Sequence, residues 1–246
     1  MEWTDVGLVV GIKRHGETSV VLELMTRGHG RHLGLVRGGR SRALQPVLQQ
    51  GNGVSAVWRA RIEDHLGAFT VEPIASRAAR LMASPLALHG LNHLSGLLHL
   101  LPERDPHPAL HDMAEDVASH LDDPRLAPEL LVRFELALLA EFGYGLHLDR
   151  CVLSGGAEDL AFVSPKSGRA VNRAAGEPWR DRLLPLPSFL AQAVGDGEPD
   201  RSDIAAAFRL TGHFLRRELF EPRGRDLPES RARLLSVLDA GGSSPP

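Results

Sequence analysis

Apolar residues alternate from Val6 to Arg14, with Val6, Leu8, Val10 and Ile12 set against Gly7, Val9, Gly11 and Lys13. That period of two is what a half-buried strand imposes. The HGE at 15–17 supplies a turn, and Ser19–Met25, rich in β-branched residues and Leu, predicts the partner strand. A third strand covers Arg31–Arg37, where Leu33 and Leu35 share one face and arginines bracket them. In the fourth, Val54, Ala56, Trp58, Ala60 and Ile62 form the inner face, which sends Arg59 and Arg61 out together on the other. After a turn at Asp64–Gly67, Leu66–Ile74 predicts a fifth strand.

Five short strands with Gly-rich turns in about 75 residues predict a small closed barrel, and the OB-fold is the common five-stranded barrel that binds oligonucleotides. Beyond Pro73 the period changes. Ala87, Leu91, Leu94, Leu98 and Leu101 make one stripe of an amphipathic helix ended by Pro102. Further helices are expected at 108–121, at 128–142 (Leu130, Phe134, Leu138 and Phe142 in one row, closed by Gly143 and Gly145), and at about 188–195, 202–220 and 228–239. Residues 149–176 interrupt them with turn residues and two β-like pieces, LAFV and RAV. The expected fold class is therefore α+β and multidomain. An OB-fold barrel spans 1–78, a mostly helical domain with the irregular insert spans 79–240, and GGSSPP at 241–246 is too poor in apolar residues to fold.

Charge changes the picture of the barrel. The chain's net charge of −3 is the average of two unlike parts: residues 1–80 carry 11 Lys+Arg against 7 Asp+Glu, and residues 81–246 carry 17 against 24. Between Glu23 and Glu63 lie seven arginines and no carboxylate. A soluble surface ordinarily mixes charge signs, so this window implies a face kept positive for a polyanion. Lys13, Arg14, Arg27, Arg31, Arg37, Arg40, Arg42, Arg59 and Arg61 are the candidate nucleic-acid-binding residues. The barrel offers only Trp3, Trp58 and Phe69 as aromatic side chains, with Trp58 turned inward, so a rich base-stacking platform is not expected. Binding through phosphates should tolerate sequence and weaken with salt.

Other chemistry is not supported. His89 with His93, and His107 with His111, have the i, i+4 spacing of a helical metal pair, but HGLNH lacks the glutamate of HExxH and no carboxylate completes a site. Cys151 is the single cysteine, so no internal disulfide exists and a reducing cytoplasm fits. With no base paired to it, Cys151 reads as a small core residue. There is no GxSxG and no GxxxxGK[ST], and Gly28, Gly30 and Gly34 have the wrong spacing for a dinucleotide fingerprint. No catalytic residue is assigned. The opening MEWTDVGLVV does not read as a signal peptide, and no stretch is long and apolar enough to span a membrane.

Three segments resemble the bacterial RecO family of DNA repair and recombination mediators. The first is GLVVGIKRHGETSVVLELMTRGHGRHLGLVRGGR, whose Thr26, Gly30, Gly34, Gly38, Gly39 and Arg40 match the family's Gly-spaced signature. The second is RFELALLAEFGYGLHLDRCVLSG from Arg133 to Gly155, and the third is VSPKSGRAV with GEPWRDRLLPLP after it. The resemblance implies an N-terminal OB-fold, a helical C-terminal domain with a small zinc-ribbon-like loop, and no turnover. It also implies binding and annealing of single- and double-stranded DNA, contact with the C-terminal tail of single-strand binding protein, and loading of RecA together with RecR, in the cytoplasm at the nucleoid. Arg133, Arg216 and Arg217 are candidate rim residues for that tail, which leaves an interaction scaffold with secondary DNA binding as the alternative. Some members hold zinc through paired CxxC motifs; here Cys151 stands with Ser154 and no cysteine lies near Val171 or Ala174, so no zinc or other cofactor is expected.

Overall fold

The structure, a computed structural model, describes residues 1–62, 64–191 and 198–240. Strands β1 (Glu2–His15), β2 (Ser19–Thr26), β3 (Gly30–Val36), β4 (Gly53–Arg59) and β5 (Ala68–Ala75) close into a barrel in the order β1-β2-β3-β5-β4. Every pairing is antiparallel except β3 with β5, which run parallel and pair at Leu35 and Ala68. This is the strand order of a five-stranded, partly open OB-type barrel. Val9, Leu22, Leu24, Leu48, Val54, Ala56, Trp58 and Phe69 fill it. The buried indole of Trp58 keeps its polar edge satisfied by donating Nε1–H to Leu66 O at 3.1 Å.

Three details depart from the sequence pattern. A register shift between Val9 and Gly11 breaks the alternation of β1, so Leu8, Val9 and Val10 are all buried and Ile12 is exposed. In β3 the inward positions are His32, Gly34 and Val36, not Leu33 and Leu35. The Phe69 ring occupies the space over Gly34, where a Cβ would lie 2.4 Å from Phe69 Cδ2, so a larger residue at 34 would push this ring out. β4 ends at Arg59, so Arg61 sits in the following turn rather than on a shared strand face.

Helices α1 (Ala78–Met82), α2 (Pro85–Leu98) and α3 (Pro108–His120) follow the barrel. Ser84 caps α2 by accepting the Ala87 amide at 3.3 Å, and Pro85 takes the first turn, where its missing N–H costs nothing. The stripe of Ala87, Leu91, Leu94 and Leu98 is buried as expected, and Leu101 is buried just past the helix end. The chain's contacts group Met1–Ala127 with the segment from Ser230 as one compact unit and Pro128–Glu229 as another. By contacts, α1–α3 group with the barrel.

The second unit holds most of α4 (Leu126–Glu141), a three-stranded sheet in the order β7-β6-β8, the one-turn α5 (Arg173–Gly176) and α6 (Arg201–Phe214). Its strands are β6 (Leu160–Val163), β7 (Ala170–Asn172) and β8 (Leu184–Pro185). The fully buried Glu135 of α4 accepts the hydroxyl of Thr211 on α6, giving that carboxylate a hydrogen bond inside the core. α6 runs into a π-helical turn over Leu215–Phe220, and α7 (Glu229–Ala240) follows. Of the helix expected at 188–195, Ser188–Leu190 form a 3₁₀ turn, and residues from 192 lie outside the described residues, as does the 241–246 tail. Among the described residues no helix is long and apolar enough to cross a membrane.

Candidate nucleic-acid interface

The hairpin between β1 and β2 is tied to the segment that follows β3. Arg40 N donates to Thr18 O at 3.0 Å, and the Arg40 guanidinium donates to Glu17 O. The exposed Lys13, Arg14, Arg37, Arg40 and Arg42 thereby gather at one end of the barrel. Beside them, at the β3/β5 seam, an open groove of about 730 Å³ is lined by Val36, Arg37, Leu44, Arg59, Arg61 and Phe69, among others. The pairing explains the convergence: Ala68 of β5 pairs with Leu35 of β3 on one side and with Arg59 of β4 on the other. That brings the ends of two strands level, each with arginine at or just past its last residue.

These groups differ in their commitments. Arg59 donates to Glu2 Oε1 at 2.8 Å, a bond that lowers the Glu2 pKa and raises that of Arg59. Among the described residues Lys13, Arg14, Arg37, Arg42 and Arg61 have no ion-pair partner. An exposed guanidinium without a carboxylate keeps its fork of donors for phosphate oxygens.

Arg27 and Arg31 lie near the other end of β3, roughly 20 Å of strand away from Arg37. Arg27 makes a bidentate pair with Asp112 (2.9 and 3.0 Å), and that bond, with one from His111, holds the Asp112 carboxyl down at about 2. Arg31 is only 14% exposed; it pairs with Glu23, approaches Glu103 at 3.7 Å and donates to Leu101 O at 3.1 Å. Burial pushes the Glu23 pKa up, but bonds from His99 and Arg31 outweigh it and the net shift is downward. Arg31 thus joins the barrel to the segment after α2. Arg31→Ala is expected to destabilise the protein by roughly 2 kcal/mol, because it strands a half-buried carboxylate. Urea unfolding measures this, and the salt dependence of DNA binding should stay unchanged.

A ring cluster went unread in the sequence. Trp3 pairs with Trp58 across β1 and β4, and their rings stack at 5.6 Å and 18°. His29 lies flat on Trp3 at 4.0 Å and 7°. His32 meets Trp3 and Trp58 edge-on at 5.0 and 4.8 Å. His29 Nδ1 bonds Asp5 Oδ2 at 2.9 Å, and Asp5 also accepts the amides of Gly28 and Val6. Burial raises the Asp5 pKa, yet these bonds bring it below the ordinary value. The available signal was Trp3 with one histidine on the β2–β3 turn and another on β3, and it becomes legible only once β1 is known to begin at Glu2.

Residues 1–77 match the family model for the N-terminal part of recombination protein O, and residues 84–226 match the model for its C-terminal part. The chain belongs to the RecO family. It is similar to proteins named DNA repair protein RecO from Methylobacterium nodulans (60% identical; 98% of this chain and all of the relative), Methylorubrum extorquens (58%; 96% and 98%) and a Chelativorans species (54%; all of both).

In this RecO-family chain the 149–176 insert does not offer the donors that zinc needs. Cys151 Sγ accepts the amides of Ser154 (3.5 Å) and Asn172 (3.3 Å), Ser154 Oγ accepts from Asn172 Nδ2 (3.2 Å), and Asn172 Oδ1 accepts the Ala175 amide (3.0 Å). Each of two turns thus places a side chain on the amide three residues on. The set of one thiol, one hydroxyl, one carboxamide and the methyl of Ala175 does not fit tetrahedral Zn²⁺. Hydrogen bonds link the two turns instead. Burial pushes the Cys151 thiol up, but the Ser154 hydroxyl and nearby amides bring it down to about 7. Among the described residues no three His, Cys, Asp or Glu side chains cluster as metal ligands, the two histidine pairs included.

Of the candidate partner-binding residues, Arg133 is engaged with Glu129 (2.8 Å), Phe189 O (3.2 Å) and the Phe189 ring. Arg217 is engaged with Glu218, Pro165 O and the Phe214 ring. Arg216 is exposed and, among the described residues, has no ion-pair partner.

Proposed function

We propose that this chain acts in DNA repair as a non-catalytic recombination mediator. It holds single- and double-stranded DNA by the phosphates and anneals complementary strands. With RecR it helps load RecA on gaps coated by single-strand binding protein, in the cytoplasm at the nucleoid. The observation that carries the reading is the convergence of Arg37, Arg59 and Arg61 on one open groove, with Arg37 and Arg61 uncommitted. Lys13, Arg14, Arg40 and Arg42 extend the same positive end, while Arg27 and Arg31 serve the fold. The names of the relatives, and the family they share with this chain, support the same reading. Of Arg133, Arg216 and Arg217 in the second unit, Arg216 is the exposed one without an ion-pair partner among the described residues, and it is the one we assign to the acidic tail of single-strand binding protein.

Phosphate contacts hold a strand without reading its bases. The double variant Arg37→Ala, Arg61→Ala is therefore expected to weaken binding about tenfold or more at physiological salt, equally on two unrelated sequences. It should also slow annealing of strands coated by single-strand binding protein. Fluorescence anisotropy and an annealing time course read the two effects. Unchanged affinity, or a loss confined to one sequence, contradicts the reading.

A further inference from the structure

We propose that the outer face of His29 is a stacking site for one unpaired nucleobase, the fourth ring of a column formed by Trp58, Trp3 and His29. The proposal rests on the barrel's binding DNA and adds how it tells an open strand from a duplex. The three rings are nearly parallel in sequence, 18° between the first pair and 7° between the second. Trp58 is buried, Trp3 is half-buried, and the column ends on an imidazole whose side chain is 38% exposed. One face lies on Trp3 and the Nδ1 edge on Asp5, and among the described residues no ring is stacked on the opposite face. Nε2 has no hydrogen-bond partner among the described residues.

The imidazole is also held in place before anything binds. Asp5 fixes its Nδ1, Thr26 Oγ1 accepts the His29 amide at 3.2 Å, and the Gly28 amide donates to Asp5 at 2.7 Å. A ring already ordered loses little entropy on binding a second ring. Its chain neighbours are Gly28 and Gly30, which bring no side chain beside the ring. The local charges largely have partners: Asp5 accepts from three donors, Arg27 is paired with Asp112, Arg104, 6.0 Å from the Trp58 ring centroid, lies 3.9 Å from Asp64, and His32 beside the column is neutral near pH 7. Such a surface selects a flat, weakly charged ring and not a phosphate. In a duplex both faces of every internal base are already covered, which leaves unpaired bases and strand ends as the ligands. Since the phosphates are held elsewhere on the barrel, the column supplies a sequence-tolerant grip on a single strand.

The full chain is titrated with a labelled thymidine oligonucleotide, the same oligonucleotide with abasic sites in place of its bases, and a duplex. Wild type is expected to bind the base-bearing strand about tenfold more tightly than the abasic one. His29→Ala should lose that preference while keeping its affinity for abasic strand and duplex and its salt slope, and His29→Phe, which restores a ring, should regain it. Tryptophan quenching by the base-bearing strand should be reduced in His29→Ala. An undiminished preference in His29→Ala overturns the proposal, as does an equal loss on all three ligands, which would assign His29 to the turn alone. The DNA-binding reading fails differently, through a binding constant that ignores salt or no binding to any of the three ligands.

Discussion

Asn52→Ala is expected to lower the stability of the barrel unit by roughly 3 kcal/mol, since the substitution orphans one buried and three partly buried backbone groups at once. Asn52 is 2% exposed and uses all four side-chain hydrogen-bonding positions. Its Nδ2 donates to Pro46 O (2.8 Å) and Val47 O (3.0 Å), and its Oδ1 accepts the amides of Arg77 (2.8 Å) and Ala78 (2.9 Å). The first pair pins the turn segment before β4, and the second satisfies amide groups at the start of α1, which the helix itself leaves without partners. Asn52→Asp keeps the acceptor but turns a second oxygen toward the Pro46 and Val47 carbonyls. It should destabilise at least as much, and more as pH rises through the introduced carboxyl's pKa. Urea unfolding followed by circular dichroism measures both. A change under about 0.5 kcal/mol for Asn52→Ala would remove Asn52 as the joint between barrel and helix.

The second large effect is on pH. His32 is 4% exposed among Trp3, Trp58 and Phe69, and neither ring nitrogen has a hydrogen-bond partner. Burial first, then the electrostatic influence of Arg104 and His29, push its pKa down to about 4 from 6.5. The folded protein therefore keeps His32 neutral in a range where the unfolded chain takes up a proton. Between those two values the unfolded state binds more protons, so stability is full above about pH 6.5 and falls as pH drops toward 4. The linked loss reaches roughly 3 kcal/mol near pH 4. Asp5, Glu23 and Asp112, whose pKa values are lowered in the fold, add losses at lower pH in any variant. The comparison that isolates His32 is wild type against His32→Phe, which keeps a ring and removes the titration. The difference between their unfolding free energies should vary with pH only between about 4 and 6.5, and a constant difference would show that His32 is not a buried neutral group.

The barrel was legible because its signal is local. Alternation in β2 and β4, turn residues between strands and the change to a helical period after Pro73 each depend on neighbours a few positions apart. The acid-free window was legible for the same reason, and it led to Arg37, Arg59 and Arg61. What the window hid is that carboxylates absent nearby in sequence return through space: Asp112 is 85 residues from Arg27, and Glu103 arrives on the segment after α2 to meet Arg31. Pairs of that kind depend on tertiary return of the chain and leave no periodic trace. Asn52 was silent because an Asn between Gly51 and Gly53 reads as a turn, whatever its side chain holds. The base-stacking surface was discounted because His29 does not count among Phe, Trp and Tyr, and because its stack on Trp3 follows from where β1 begins. The β1 bulge, the inward parity of β3 and the end of β4 at Arg59 are likewise register facts. Shifting a strand by one residue exchanges its faces, and composition alone does not decide it.

If uncommitted cations on the barrel hold nucleic acid by its phosphates, as proposed, duplex binding must weaken steeply with salt. About five such groups, Lys13, Arg14, Arg37, Arg42 and Arg61, predict that log K falls with log salt at a slope of roughly −4.5. Arg37→Ala with Arg61→Ala should make that slope shallower by about 2, and Arg31→Ala should leave it where it was. A slope near zero in the wild type, or one that Arg31→Ala changes and the double variant does not, would contradict the account.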